Sequence, residues 1–499
     1  MIEKYYSGVI EQIYNRIGKE TRNIVMANYS NDFSIEKLEV IRRYQSNEDN
    51  VFFAYSEFSY NTLVGAYEPF LDIICNMHRR FIGGSFDDFQ KECGVYYLHR
   101  QVLNSYYETG ECFREETVLL NEVAYEQRRM TMAIVDMLKR LSEVRPLMIV
   151  INRFQMASKS SIETIKYLID NPCTNIGIVL GVNALVRGTD STVEEWDRIV
   201  EFLEDRSAIY YIGSAGQLKN NIRDTSDDEL YITTNFEQSI QEASNIMEFL
   251  DYEQARRGCR IIEHKIKFED AWIDEKSLRR FYLVYARTSV LLGEMSKAIE
   301  LMNEYKALIP ENDSEHYFSL YYFMKGTCYM YQGKLEKAEG CAKKAYDYAL
   351  LADDELLEFK SELLSVMIKM SGWYNIFFCV QDIPVSDEFI EKLIKHGYRN
   401  HLAHIYIYAY DNSRDVVKQS FYDESLLKHF TKGLELAKKI GNEQLVYDAY
   451  QKTIMLASTS GLNEIAFLYV IRTYEFMKGH GNIYVARVLT SIGYNLSAM

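Results

Sequence analysis

Across the first 215 residues, short unbroken apolar runs alternate with longer stretches whose apolar positions recur at helical spacing. The runs are Asn23–Ala27, Asn50–Tyr55, Leu147–Asn152, Ile176–Val182 and Ala208–Gly213. Such alternation predicts a parallel sheet with crossover helices, because strands covered on both faces read as continuous apolar runs. Leu147 to Ile151 is apolar at five consecutive positions and leads through a short loop to Ile162, Ile165, Tyr167, Leu168 and Ile169, a stripe that predicts a helix returning onto the sheet. Between the second and third runs the pattern predicts an insertion of helices at Tyr67–His78, Phe86–Tyr107 and Leu120–Val144. In the last of these, Val123, Met130, Ile134 and Met137 form a buried stripe.

The pattern changes after a polar stretch at Gly216–Asp228. From Phe236 the chain reads as paired helices with small residues in register: Ala286, Gly293, Ala298 and Pro310, then Gly326, Gly333, Ala338 and Ala345, with Tyr322 and Tyr329 facing them. Ile440-Gly441-Asn442 and His480-Gly481-Asn482 resume the period, while Asp382–Asp387 and Asn412–Val417 interrupt it. Small residues at these offsets let antiparallel helices approach, as in a tetratricopeptide repeat. An earlier pair, Phe236–Leu250 and Tyr252–Lys267, opens the series. The expected organisation is an α/β domain over 1–215, a linker over 216–235, and about six helix pairs over 236–499. Stacked pairs of this kind form a superhelix whose concave face takes a protein or peptide.

Composition narrows the function. Of 499 residues, 47% are hydrophobic and 26% charged, an ordinary globular balance. Net charge is -16, and acids outnumber Lys and Arg both before residue 236 and after it, which excludes a large nucleic-acid surface. The amphipathic start MIEKYYSGVIEQ carries no apolar leader core, no run is long enough to cross a bilayer, and the eight cysteines are scattered. A cytoplasmic protein with reduced thiols is the expectation. The last residues, Ser497-Ala498-Met499, follow a helix without a polar capping repeat, as expected of an oligomeric contact or of a chain that continues into a further domain.

Order and spacing of the first 215 residues resemble the ATPase core of the STAND class, the signal-transduction relatives of AAA+ ATPases in LuxR-type and maltose-regulator-type proteins. The resemblance lies in Arg145-Pro146-Leu147 before the strand, Phe154-Gln155-Met156-Ala157 after it, Ser161-Ile162 in the next helix, and Val51–Glu57 followed by Tyr67-Glu68-Pro69-Phe70. It implies a phosphate loop after the first strand and one or two acids ending the third. Here the glycines fall on Asn28, Asn31 and Phe33, the lysine on Ser34, the magnesium hydroxyl on Ile35, and the acids on Asn152 and Arg153. Asn183 keeps the polarity of the family's sensor position, with Arg187 nearby. Without glycines a backbone cradle cannot close on phosphates, and an amide cannot replace an anionic magnesium ligand. Asp32 and Glu36 would also repel a triphosphate.

The expected function is therefore a non-catalytic signalling scaffold: a vestigial nucleotide domain, without cofactor or metal, joined to a partner-binding array that also serves homo-oligomers. The alternatives are an ATP-binding STAND switch with an atypical phosphate loop, and an enzyme of unrelated chemistry in the crevice at the strand ends. His401 and His404, three apart, have a spacing that can bind metal, but no third ligand accompanies them, and a solvated helix face is expected. Asp224–Glu229 reads as linker, and the dispersed dibasic pairs as helix-surface ion pairs.

Overall fold

The computed structural model describes residues 2–21, 23–29, 38–46, 50–59, 63–183, 193–205, 208–212, 235–268, 273–312, 314–374, 385–408 and 428–479. A strand falls at each of the five apolar runs: β1 Ile24–Tyr29, β2 Phe52–Glu57, β3 Leu147–Asn152, β4 Ile176–Asn183 and β5 Ile209–Ile212. They form one parallel sheet in the order β2-β3-β4-β1-β5. Every residue of β3 and β4 is buried, as their lack of polar alternation requires.

Helix α1 (Ile2–Arg16) and helix α2 (Glu39–Ser46) share a core with Val25, Ala27, Phe53, Met148, Val150 and Val179 on one face of the sheet. Alternate residues, Ile149, Ile151, Ile178 and Leu180, turn to the other face. Right-handed crossovers from β2 to β3 and from β3 to β4 run opposite in direction to the crossover from β1 to β2, so they place their helices on that second face. Gly177 sets the approach of α1: a Cβ there would lie 2.8 Å from Ile17 Cδ1.

The crossover from β2 to β3 carries α3 (Phe70–Met77), which widens into a further turn at His78–Ile82, then α4 (Phe86–Glu92), α5 (Tyr97–Thr109) and α6 (Val123–Val144). The sequence predicts a single helix over Phe86–Tyr107; Gly94, at φ 71°, divides it into α4 and α5. Met130, Ile134 and Met137 of the expected α6 stripe are buried, joined by Leu138 and Leu141. Helix α7 (Lys159–Asp170) buries Ile162, Ile165, Leu168 and Ile169, with Tyr167 half-buried at the edge of the stripe. Helix α8 (Val193–Asp205) leads to β5.

The other described elements are helices: α9 (Phe236–Glu248), α10 (Tyr252–Phe268), α11 (Glu275–Leu291), α12 (Met295–Ala307), α13 (Glu315–Tyr331), α14 (Leu335–Leu351), α15 (Glu355–Tyr374), α16 (Asp387–Lys395), α17 (Arg399–Tyr408), α18 (Lys428–Ile440), α19 (Glu443–Thr459) and α20 (Asn463–Gly479). One turn type recurs between them. A residue at positive φ ends a helix and the next N–H bonds to the carbonyl five residues back: Leu250-Asp251, Gly293-Glu294, Gly333-Lys334, Asp353-Asp354, Gly397-Tyr398, Gly441-Asn442 and Gly461-Leu462. At three of these turns the second residue also caps the next helix. Asp251, Asp354 and Asn442 accept from the N–H of Gln254, Leu357 and Leu445. Ala286, Ala298, Ala338 and Ala345 are fully buried, as close helix approach demands. Tyr322 stacks on Tyr348 with ring centroids 5.7 Å apart, a packing role.

By packing, the chain forms two compact units, residues 1–114 with 119–294, and residues 115–118 with 295–499. The first unit runs past the expected linker at 216–235 and takes in α9, α10 and α11. Buried polar bonds account for this: Gln254 donates to the Val64 carbonyl at 2.9 Å, and Arg114 to that of Glu248 at 2.8 Å.

Two glycines of the second unit make opposite predictions. A Cβ on Gly433 in α18 would sit 2.8 Å from Ile407 Cγ1, 2.9 Å from Tyr406 Cβ and 3.1 Å from the Ala403 carbonyl, none of which can swing away. Overpacking should outweigh helix propensity, so Gly433→Ala lowers stability by about 1–2 kcal/mol. Gly340 in α14 meets nothing within 4 Å, and Gly340→Ala should raise stability by up to about 1 kcal/mol. Urea unfolding of both variants checks the pair.

Candidate functional site

All five strands end at one edge, where a doubly wound sheet opens its crevice. Strand pairing sets Tyr29 of β1 beside Asn183 of β4, and Glu57 of β2 beside Asn152 of β3. Asn152 and Asn183 are buried, and β4 separates the strand of Asn28 from that of Asn152. The edge therefore presents three amides, from Asn28, Asn152 and Asn183. The other expected positions, Asn31, Phe33, Ser34 and Ile35, lie outside the described residues, as do Asp32, Glu36 and Arg187.

Arg153 adopts the left-handed conformation, φ 55° and ψ 41°. Its guanidinium donates to the Phe58 carbonyl at 3.3 Å and pairs with Glu57 Oε1 at 3.3 Å. Tyr55 donates its hydroxyl to the other oxygen of Glu57. Sequence reasoning missed Glu57, since an acid at the end of a neighbouring strand carries no motif of its own. Behind Arg153, the buried Gln155 accepts the N–H of Asn183 at 3.3 Å, tying the loop after β3 to the end of β4. These described groups do not fit a magnesium nucleotide: Asn152 is uncharged, and the carboxylate of Glu57 is already paired with a cation.

A second polar constellation lies at the start of α7. Ser158 caps the helix, accepting from Ser161 N, and Ser161 donates its hydroxyl to the Glu68 carbonyl at 2.7 Å. Ser160 Oγ accepts from Tyr67 N at 2.9 Å, while Ser160 N donates to Asp251 Oδ2 at 3.0 Å. Asp251 thus holds two helix N-termini, those of α7 and α10. Burial raises its pKa above the ordinary carboxylate value, and the hydrogen bonds from Ser160 and Gln254 oppose that shift. Beside it opens a cavity of about 400 Å³, lined among others by Arg128, Thr131, Glu163, Lys166, Tyr167 and Asp251. In the same wall Lys166 pairs with Glu163 at 3.4 Å and Lys159 with Glu253 at 3.4 Å, so these two cations of the lining are already matched by carboxylates.

The histidine pair corrects an expectation. His401 and His404 lie on a buried face of α17, not a solvated one, and His401 Nδ1 meets Glu116 Oε1 at 2.6 Å. Among the described residues no cluster of three His, Cys, Asp or Glu side chains is arranged to hold a metal ion. Of the dibasic pairs, Arg43 joins Glu11, Arg256 joins Glu294 at 2.6 Å, and Arg79 lies over the Tyr107 ring. Asp224–Glu229 lies outside the described residues. No described helix is long and apolar enough to cross a membrane.

No family model matches the sequence, and no curated protein matches it. Among solved structures the chain is similar to a signal transduction ATPase with numerous domains, a STAND protein with a tetratricopeptide repeat sensor, from Pyrococcus horikoshii. Identity is 12%, the match covers 95% of this chain and 84% of that one, and the TM-score is 0.40. So slight a likeness leaves function to the residues themselves.

Asp251→Ala should cost on the order of 2–4 kcal/mol, because buried N–H groups at two helix starts lose their acceptor. Asp251→Asn gives a sharper test. A carboxyl whose pKa is raised by folding contributes stability that is complete below its unfolded value and declines as pH rises through the folded one. The stability advantage of the native chain over Asp251→Asn should therefore shrink as pH rises from about 4 to 7, measured by denaturant unfolding at each pH.

Proposed function

We propose that this chain is a regulatory scaffold, a STAND-like α/β platform that does not hydrolyse nucleotide, joined to a tetratricopeptide-like helical array that engages a protein partner. The observation that carries the reading is the end of β3. There an amide stands where the family has its acid, and the next residue, Arg153, turns its charge onto Glu57. Among the described residues at that edge, a magnesium ion meets amides, a guanidinium and a carboxylate already paired with that guanidinium, a poor set for holding the metal or polarising an attacking water. The paired helices supply what such a scaffold needs, helix faces stabilised by contacts between neighbouring helices. A cytoplasmic location and self-association belong to the same proposal.

The alternative, an ATP-binding switch, has one observation in its favour. Asn28 Oδ1 at the end of β1 is buried and has no hydrogen-bond partner among the described residues.

Titration with Mg-ATP separates the two readings. A ligand held with micromolar Kd stabilises the fold by about 4 kcal/mol at millimolar concentration. The scaffold reading expects no saturable rise in Tm over that range, and expects Asn152→Asp with Arg153→Asp to leave phosphate release at background. A saturable rise would sustain the switch.

A further inference from the structure

The second compact unit contains four residues from far upstream, 115–118, together with 295–499. From Cys112 to Val118, buried and exposed side chains alternate strictly: Cys112, Arg114, Glu116 and Val118 are buried, Phe113, Glu115 and Thr117 exposed. A period of two is that of an extended peptide seated on a surface through every second side chain. What receives residues 115–118 is built for a peptide. The Glu116 carboxylate is fully buried and accepts the N–H of Asn400 at 3.2 Å and of His401 at 2.7 Å, at the first turn of α17, while His401 Nδ1 closes on the same carboxylate at 2.6 Å. Tyr398 donates its hydroxyl to the main-chain carbonyl of Glu115 at 2.7 Å. Behind this corner Asn442 donates to Asn400 Oδ1 at 2.6 Å and caps α19, so the receiving surface is itself fixed.

One main-chain bond, one pocket for a glutamate and one buried Val118 form a recognition pattern with a sequence attached: Glu-Glu-Thr-Val. Nothing in it depends on the peptide belonging to the same chain. The backbone N–H groups at the helix start and the imidazole read a carboxylate, and Tyr398 reads a carbonyl that any residue supplies. We infer that the corner formed by Tyr398, Asn400 and His401 is a binding site for an extended acidic peptide, and that residues 115–118 occupy it in cis and compete with a partner segment carrying a buried glutamate. The inference rests on the partner-binding reading of the helical array and names the chemistry of the partner.

The test uses the full chain and a fluorescent peptide of residues 110–121 with serine in place of Cys112. Glu116→Ala empties the pocket. The variant should bind the peptide at least ten-fold more tightly than the native chain does, and a peptide with glutamine at the Glu116 position should bind at least ten-fold more weakly. Amide exchange at Asn400 and His401 should quicken in the variant and slow again with peptide. A folded Glu116→Ala chain that binds both peptides equally, or neither, overturns the proposal. Should that variant not fold, Glu116→Gln, which keeps the size of the cis side chain and leaves the receiving corner untouched but removes the charge it reads, takes its place: gain of binding by the native peptide supports the site, and no gain refutes it. Lack of exchange would sink this inference and leave the scaffold reading standing, whereas a saturable rise in Tm with Mg-ATP would sink the scaffold reading and leave the exchange result as it is.

Discussion

A buried carboxylate must be hydrogen-bonded, and in this chain that requirement fixes the architecture at Asp251. Its two oxygens take N–H groups from the starts of two helices far apart in sequence, α7 of the sheet layer and α10 of the first helix pair. An unsatisfied charge at such depth would cost several kcal/mol, so neither helix can shift without the other. The Leu250-Asp251 turn that presents the carboxylate is the same turn that separates helices throughout the array. Here it serves a sheet domain, and the first compact unit accordingly extends to residue 294.

The same electrostatic rule governs the strand ends. A guanidinium at the end of β3 is kept by pairing with Glu57 and by the Phe58 carbonyl, which joins β2 to β3 across the edge of the sheet. In an ATPase that edge must leave its carboxylates free for a metal. Here Glu57 is paired with Arg153, and Gln155 accepts the N–H of Asn183.

Much of this was legible in the chain. Five apolar runs gave five strands because burial on both faces leaves no room for polar alternation, and the buried stripes of α6 and α7 follow directly from the 3.6-residue period. Gly293, Gly333 and Gly441 marked turns because only glycine adopts positive φ without strain. Where the same turn is made by Leu250 or Asp353, that mark is missing and the turn is invisible to composition.

The sequence by itself therefore determined the layers, the order of sheet and helices, and that an amide and a guanidinium, Asn152 and Arg153, stand at the end of β3, since these depend on local periodicity and residue type. Only the tertiary structure decided that α9 to α11 belong with the sheet, that His401 faces Glu116 rather than solvent, and that residues 115–118 lie with helices almost three hundred positions later. Those outcomes depend on which buried donor meets which buried acceptor, a matter of long-range geometry that no local pattern encodes.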